Sequence, residues 1–205
     1  MTQSPSFQRG LKAPIAAAPP RPHWYATDNG FQSPFTMDVA HKPIVDLAAR
    51  TLSGRAGNIL DLGCGNGVLL RKICEASPGR VPFGLDIDPE RIAHAREILP
   101  AFVENFLCGN MLEEERIWAA GRRYDLVILM PGRLVEAGPE RVPWFRERVV
   151  ALAENVLVYA YGDWLTRFNT LGGLAQAAGL RLLDSDPEAK AGLAVFGTAA
   201  RGAIA

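Results

Sequence analysis

The chain has 205 residues, enough for one α/β domain with a full core and too few for a second of ordinary size. Lys plus Arg and Asp plus Glu each number 22, so the net charge is zero and no bulk field recruits a nucleic-acid backbone or an anionic membrane. Apolar residues make up 48%, ordinary for a globular protein, yet no apolar run approaches the roughly 18 residues that span a bilayer. Prolines interrupt the only apolar run near the N-terminus, so no signal peptide is expected there. Cys64, Cys74 and Cys108 show no metal-type spacing and read as reduced thiols, which points to a cytoplasmic protein.

Residues 1–22 are rich in Pro, Ser, Gln and Ala, lack an apolar period and are expected to be flexible or draped over the surface. Aromatic residues follow at Trp24, Tyr25, Phe31 and Phe35, with a turn signal at Asp28-Asn29-Gly30. This stretch reads first as a lid over a ligand and second as an arm packed on the sheet edge. The chain thus divides into an N-terminal arm and aromatic lid over 1–35 and a single domain over 36–205.

Apolar residues at helical spacing predict a helix over 36–52, with Pro43 as a possible kink. The run 59–62 predicts a first strand and 66–76 a helix, followed by a strand over 81–86. Asp88-Pro89 is a helix start, and that helix runs to Leu99. A third strand is expected over 102–108, a short helix over 113–120 and a strand over 124–130. The last is continuously apolar after Asp125, as a central parallel strand should be. Helices over 143–154 and 164–178 bracket a strand over 155–161, and strands over 180–183 and 193–198 close the chain. Alternating strands and helices give a mostly parallel sheet with helices on both faces, and the closing pair reads as an antiparallel hairpin.

The organising stretch is Ile59 to Leu70, where an apolar strand runs into Gly63, Gly65 and Gly67 and then a helix. A dinucleotide fingerprint would need glycine at position 68 or 70, which are valine and leucine, and no Lys-Ser or Lys-Thr pair follows to make a phosphate-binding P-loop. The remaining pattern, Asp61-x-Gly63-x-Gly65-x-Gly67, resembles the cofactor loop of class I S-adenosylmethionine-dependent methyltransferases. An acid at Asp86, 25 positions after Asp61 and ending the second strand, fits the same family.

That resemblance implies a three-layer Rossmann-like α/β sandwich with a seven-stranded sheet. It implies S-adenosylmethionine as cofactor, S-adenosylhomocysteine as product, and no metal. It places Asp61, Gly63, Cys64, Gly65, Asp86, Ile87, Asn110, Met111 and Met130 at the cofactor. Asp86 would accept from the ribose hydroxyls, Ile87 would lie against the adenine, and Asn110 stands where the family often has aspartate. For Gly67, close packing and ligand contact stand equally. Met130-Pro131-Gly132-Arg133 departs from the Asn/Asp-Pro-Pro-aromatic motif of nucleobase and glutamine methyltransferases.

The acceptor implied is a small molecule or a peptide. Arg133 is a candidate for binding a carboxylate or phosphate, and His41, Tyr25, Glu136 and Asp163 are candidate bases. His23 has a weaker claim, and His94, in mid-helix, is expected to face solvent. A non-catalytic binding module and an aminopropyl transferase are the alternatives, the second disfavoured by a cation at Arg133.

Overall fold

Both faces of the central sheet are covered, which is why its strands read as unbroken apolar runs. In the computed structural model, β1 (Gly57–Leu62), β2 (Arg80–Asp86), β3 (Phe106–Cys108), β4 (Tyr124–Leu129), β5 (Ala153–Ala160), β6 (Arg181–Ser185) and β7 (Gly192–Gly197) form one sheet in the order β3-β2-β1-β4-β5-β7-β6. The structure describes residues 22–53, 56–114, 116, 121–130, 132, 138–161, 165–186 and 192–198. β1 to β5 pair parallel, and β7 runs antiparallel to both β5 and β6. The strand order reverses between β1 and β4, and in open sheets ligands bind outside the carboxyl ends of strands at such a point.

Alternate residues supply two separate cores. Ile59, Leu126, Ile128, Leu157 and Val195 face one layer, which contains α2 (Pro34–Thr51), α3 (Val68–Ala76) and α4 (Pro89–Ile98). Leu60, Leu62, Val127, Leu129 and Val156 face the other, formed by α5 (Val142–Trp144), its wider continuation Phe145–Val150, and α6 (Leu165–Ala177). The edge strand β6 is exposed along its whole length.

Several element boundaries differ from expectation. The first long helix begins at Pro34, because Ser33 accepts the Thr36 amide and Thr36 Oγ1 accepts the Ser33 amide in a reciprocal cap. Pro43 sits inside that helix without ending it. The third strand is only Phe106–Cys108. Pro100–Asn105 ahead of it forms tight 3₁₀ turns, with Pro100 at the helix-compatible first position and Asn105 Nδ2 donating to Pro82 O at 2.9 Å. β5 starts at Ala153, two residues earlier than expected. Most of the helix expected over 113–120 lies outside the described residues.

Candidate functional site

Gly63, Gly65 and Gly67 have φ of 90°, 54° and 75°, a left-handed region that side chains disfavour. The Gly63 and Cys64 amides both donate to Leu85 O, at 2.7 and 3.0 Å, which ties the loop to β2. A Cβ added at Gly63 would meet nothing within 4 Å, so bare backbone faces open space there. At Gly67 a Cβ would press on Ala95 Cβ at 3.1 Å, so this glycine serves the packing of α3 on α4.

Two buried acids flank this loop. Asp61, only 1% exposed at the end of β1, has an Oδ1 with no hydrogen-bond partner among the described residues. Burial, and secondly the charge of Asp86, push its carboxyl up to about 8. Asp86, at the end of β2, accepts the Gly65 amide at 2.8 Å on Oδ2 and the Asp88 amide at 3.0 Å on Oδ1. Each oxygen keeps a second lone pair. The next residue, Ile87, is 70% exposed. Asn110 follows β3, where its Oδ1 accepts the Leu112 amide at 3.1 Å and its carbonyl accepts from Glu113 and Glu114. Met111 and Met130, the latter just past β4, are half-buried.

Cys64, expected among the cofactor contacts, is turned inward. Its side chain lies against Gly84, its amide is given to Leu85 and its carbonyl accepts the Gly67 amide, so its NH and thiol are committed within the fold.

A further set of residues went unanticipated. Asn66, between two of the loop glycines and 0% exposed, donates from Nδ2 to the carbonyls of Trp24 and Tyr25 at 3.2 and 3.1 Å. Its Oδ1 accepts from Asn29 Nδ2 at 2.5 Å. α1 (Trp24–Thr27) and the turn after it are thereby fastened to the glycine loop. His94 adds a second tie. Its ring stacks on Trp24 with centroids 3.8 Å apart, and its Nδ1 donates to Asp28 Oδ2 at 2.6 Å. The expectation that His94 faces solvent is therefore corrected: Trp24, distant in sequence, covers it. An asparagine in a glycine loop was the visible signal for Asn66, since its short amide suits turns and can bond across them.

A family model described as a methyltransferase domain matches residues 59–155, just under half of the chain. Residues 59–155 are thus similar to a methyltransferase domain. Trans-aconitate 2-methyltransferase of Mycobacterium tuberculosis is 40% identical over 57 residues, covering 28% of this chain and 22% of the relative. The enzyme of that name from Streptomyces avermitilis is 34% identical over 93 residues, covering 42% of this chain and 33% of the relative. The chain thus spans a third or less of the length of these curated relatives. Among solved structures, a TehB-like SAM-dependent methyltransferase from Corynebacterium glutamicum superposes with TM-score 0.54 at 18% identity, over 81% of this chain and all of that one. Magnesium protoporphyrin IX methyltransferase from Synechocystis with bound SAH gives 0.56 at 17%, over 83% of this chain and 90% of that one.

The Synechocystis structure holds SAH, the product form of S-adenosylmethionine, and a second structure of that enzyme holds SAM itself. The residues present fit that cofactor: a buried carboxyl oxygen at Asp61 without a partner among the described residues, open backbone at Gly63 and an exposed isoleucine beside Asp86 lie together around one loop.

The candidate bases fare unevenly. His41 lies buried on α2, its Nδ1 3.1 Å from Lys72 Nζ. Burial first, and the Lys72 charge second, lower it to about 3, so its ring is neutral at physiological pH, with Nδ1 occupied as an acceptor. That leaves it no capacity to take a proton there. Tyr25 is buried in the core and presents its carbonyl to Asn66. Arg133, Glu136 and Asp163 lie outside the described residues.

Proposed function

We propose that this methyltransferase domain transfers the methyl group of S-adenosylmethionine to a small-molecule acceptor by direct in-line displacement. The cofactor when bound supplies an electrophilic methyl on a sulfonium, which needs neither a metal nor a covalent enzyme intermediate. The chain's part is to bind and orient, and positioning alone contributes a large share of such a rate. In this reading Asp86 accepts hydrogen bonds from the ribose hydroxyls on its remaining lone pairs, Ile87 lies on the adenine, and Asn110 with Met111 meets the adenine edge. Gly63 and Gly65 give room to the methionine portion, Asp61 receives its ammonium group, and Met130 faces the methyl.

The observation that carries this is Asp61 Oδ1, a fully buried acceptor with no partner among the described residues, beside backbone that faces open space. Leaving such an atom unpaired costs about 1–3 kcal/mol, which a bound cation would offset. The names of the curated relatives, both of which act on trans-aconitate, favour a small molecule over a peptide. Calorimetry with S-adenosylhomocysteine tests the cofactor reading: micromolar binding that Asp86→Ala weakens at least tenfold supports it, and no heat from folded protein overturns it. Transfer of a labelled methyl group to metabolites of a deproteinised extract separates turnover from cofactor binding alone.

A further inference from the structure

Tyr161 follows β5 directly, and its phenolic oxygen is buried with no hydrogen-bond partner among the described residues. It belongs to a group of rings on the α2 side of the sheet. Its ring meets Phe31 edge to face at 6.0 Å and Tyr159 at 5.5 Å, and Phe31 in turn meets His41 at 5.4 Å. Met130 packs against the same core. None of these five side chains carries a charge at neutral pH, since burial keeps both tyrosines protonated and His41 neutral.

Position assigns this group a role. Asp86, Ile87 and Asn110 lie at the ends of β2 and β3, on one side of β1. An adenosyl group held there sends the other end of the cofactor toward β4 and β5, on the opposite side. Tyr159, within β5, and Tyr161, just past it, stand at that end. The segment that supplies Phe31 is the one fastened to the glycine loop through Asn66, so the ring wall and the cofactor loop are held as one unit.

Resting on the function proposed above, we propose that Tyr161 is the specificity-determining residue for the acceptor, donating its hydroxyl to an oxygen or ring nitrogen of a planar, conjugated molecule seated among Phe31, Tyr159 and Met130. Ring walls disposed edge to face favour flat π-systems over saturated ones, and one neutral donor selects a ligand bearing a single well-placed acceptor atom.

The test uses the full chain saturated with S-adenosylhomocysteine, with trans-cinnamate as the planar probe and cyclohexanecarboxylate as its saturated counterpart, observed by saturation-transfer NMR. Cinnamate should bind and cyclohexanecarboxylate should bind at least tenfold more weakly. Tyr161→Phe, which keeps the ring, should weaken cinnamate about tenfold, the worth of one buried hydrogen bond, and leave S-adenosylhomocysteine affinity within twofold. Phe31→Leu should also weaken cinnamate without touching cofactor affinity. Equal binding of the two probes, or no saturation transfer to either, overturns the proposal. So does a Tyr161→Phe variant that loses cofactor affinity and keeps the probe, because the hydroxyl then serves the cofactor. Failure of S-adenosylhomocysteine to bind is a separate result, and it overturns the cofactor reading on which this one stands.

Discussion

Lowering the pH from about 8 to 6 should weaken cofactor binding on the order of a hundredfold through one side chain. Asp61 is sealed from water, and burial with the neighbouring Asp86 raises it to about 8, so at neutral pH most empty molecules hold it as the acid. A sulfonium and an ammonium placed beside it favour the carboxylate, and binding must then expel the proton. Each pH unit below about 8 then changes affinity about tenfold, or ~1.4 kcal/mol, until the lower pKa of the complex is reached. Above that pH the amino group of the ligand, ordinarily titrating at about 7.7–8.0, loses its own proton, so affinity peaks near there. Calorimetry with S-adenosylmethionine at pH 7, run in phosphate and in Tris, measures the linked proton directly. Close to one proton released is the expected result, and Asp61→Asn should abolish the release and flatten the acid limb. No proton release from the wild-type protein at pH 7, with equal affinity at pH 6 and 8, would refute the reasoning.

Other outcomes follow from the same geometry. Asp61 binds its proton more tightly folded than unfolded, so the stability it lends is complete below about pH 4 and is lost as pH rises through about 8. Asp61→Asn should therefore stabilise the empty protein against urea at pH 8 by on the order of 3 kcal/mol, and by far less at pH 5. His41 behaves oppositely: with its folded value lowered to about 3, its contribution is present above about pH 6.5 and is lost on acidification toward 3. Urea melts of His41→Gln against wild type between pH 6.5 and 4 should show a difference that shrinks as the wild type loses that increment. Asn66→Ala leaves the Trp24 and Tyr25 carbonyls without their donor and should cost about 2–4 kcal/mol in a urea melt, while opening the chain before Ser33 to limited proteolysis. Ile87→Ser, at a position 70% exposed, should leave the thermal midpoint within about 1 °C and weaken S-adenosylhomocysteine binding about three- to tenfold by calorimetry.

What could be read from the chain alone depended on whether its cause was local. The glycine loop, the acid ending β2 and the Asp88-Pro89 helix start are short-range signals, and each stands where the pattern put it. The hidden two-sidedness of β1 and β4 needed the structure, because a strand buried on both faces carries no alternation to show which side a residue takes. Phe102 and Val103 looked like strand, yet a turn of helix begins at Pro100 and the polar Glu104-Asn105 pair belongs to it. His94 shows the limit most clearly. Its helix marks it as surface, and only the arrival of Trp24 and Asp28 from the far end of the chain covers it. The surroundings of Tyr161 were hidden for a similar reason: Phe31, which meets its ring, and His41, which meets Phe31, come from far earlier in the chain.

Asn66 ties the stretch before α2 to the glycine loop, and that has a mechanical consequence. Force or strain applied upstream of Trp24, by a fused domain or a bulky tag, is delivered to the backbone between Gly65 and Gly67 rather than dissipated in a loose tail. A shortened chain beginning at Pro34 would lose the four bonds that Asn66 makes to Trp24, Tyr25, Asp28 and Asn29 and the ring that covers His94, and so would lose support for the glycine loop itself. The N-terminal stretch and the glycine loop are one working part, and they can be exchanged between relatives only together.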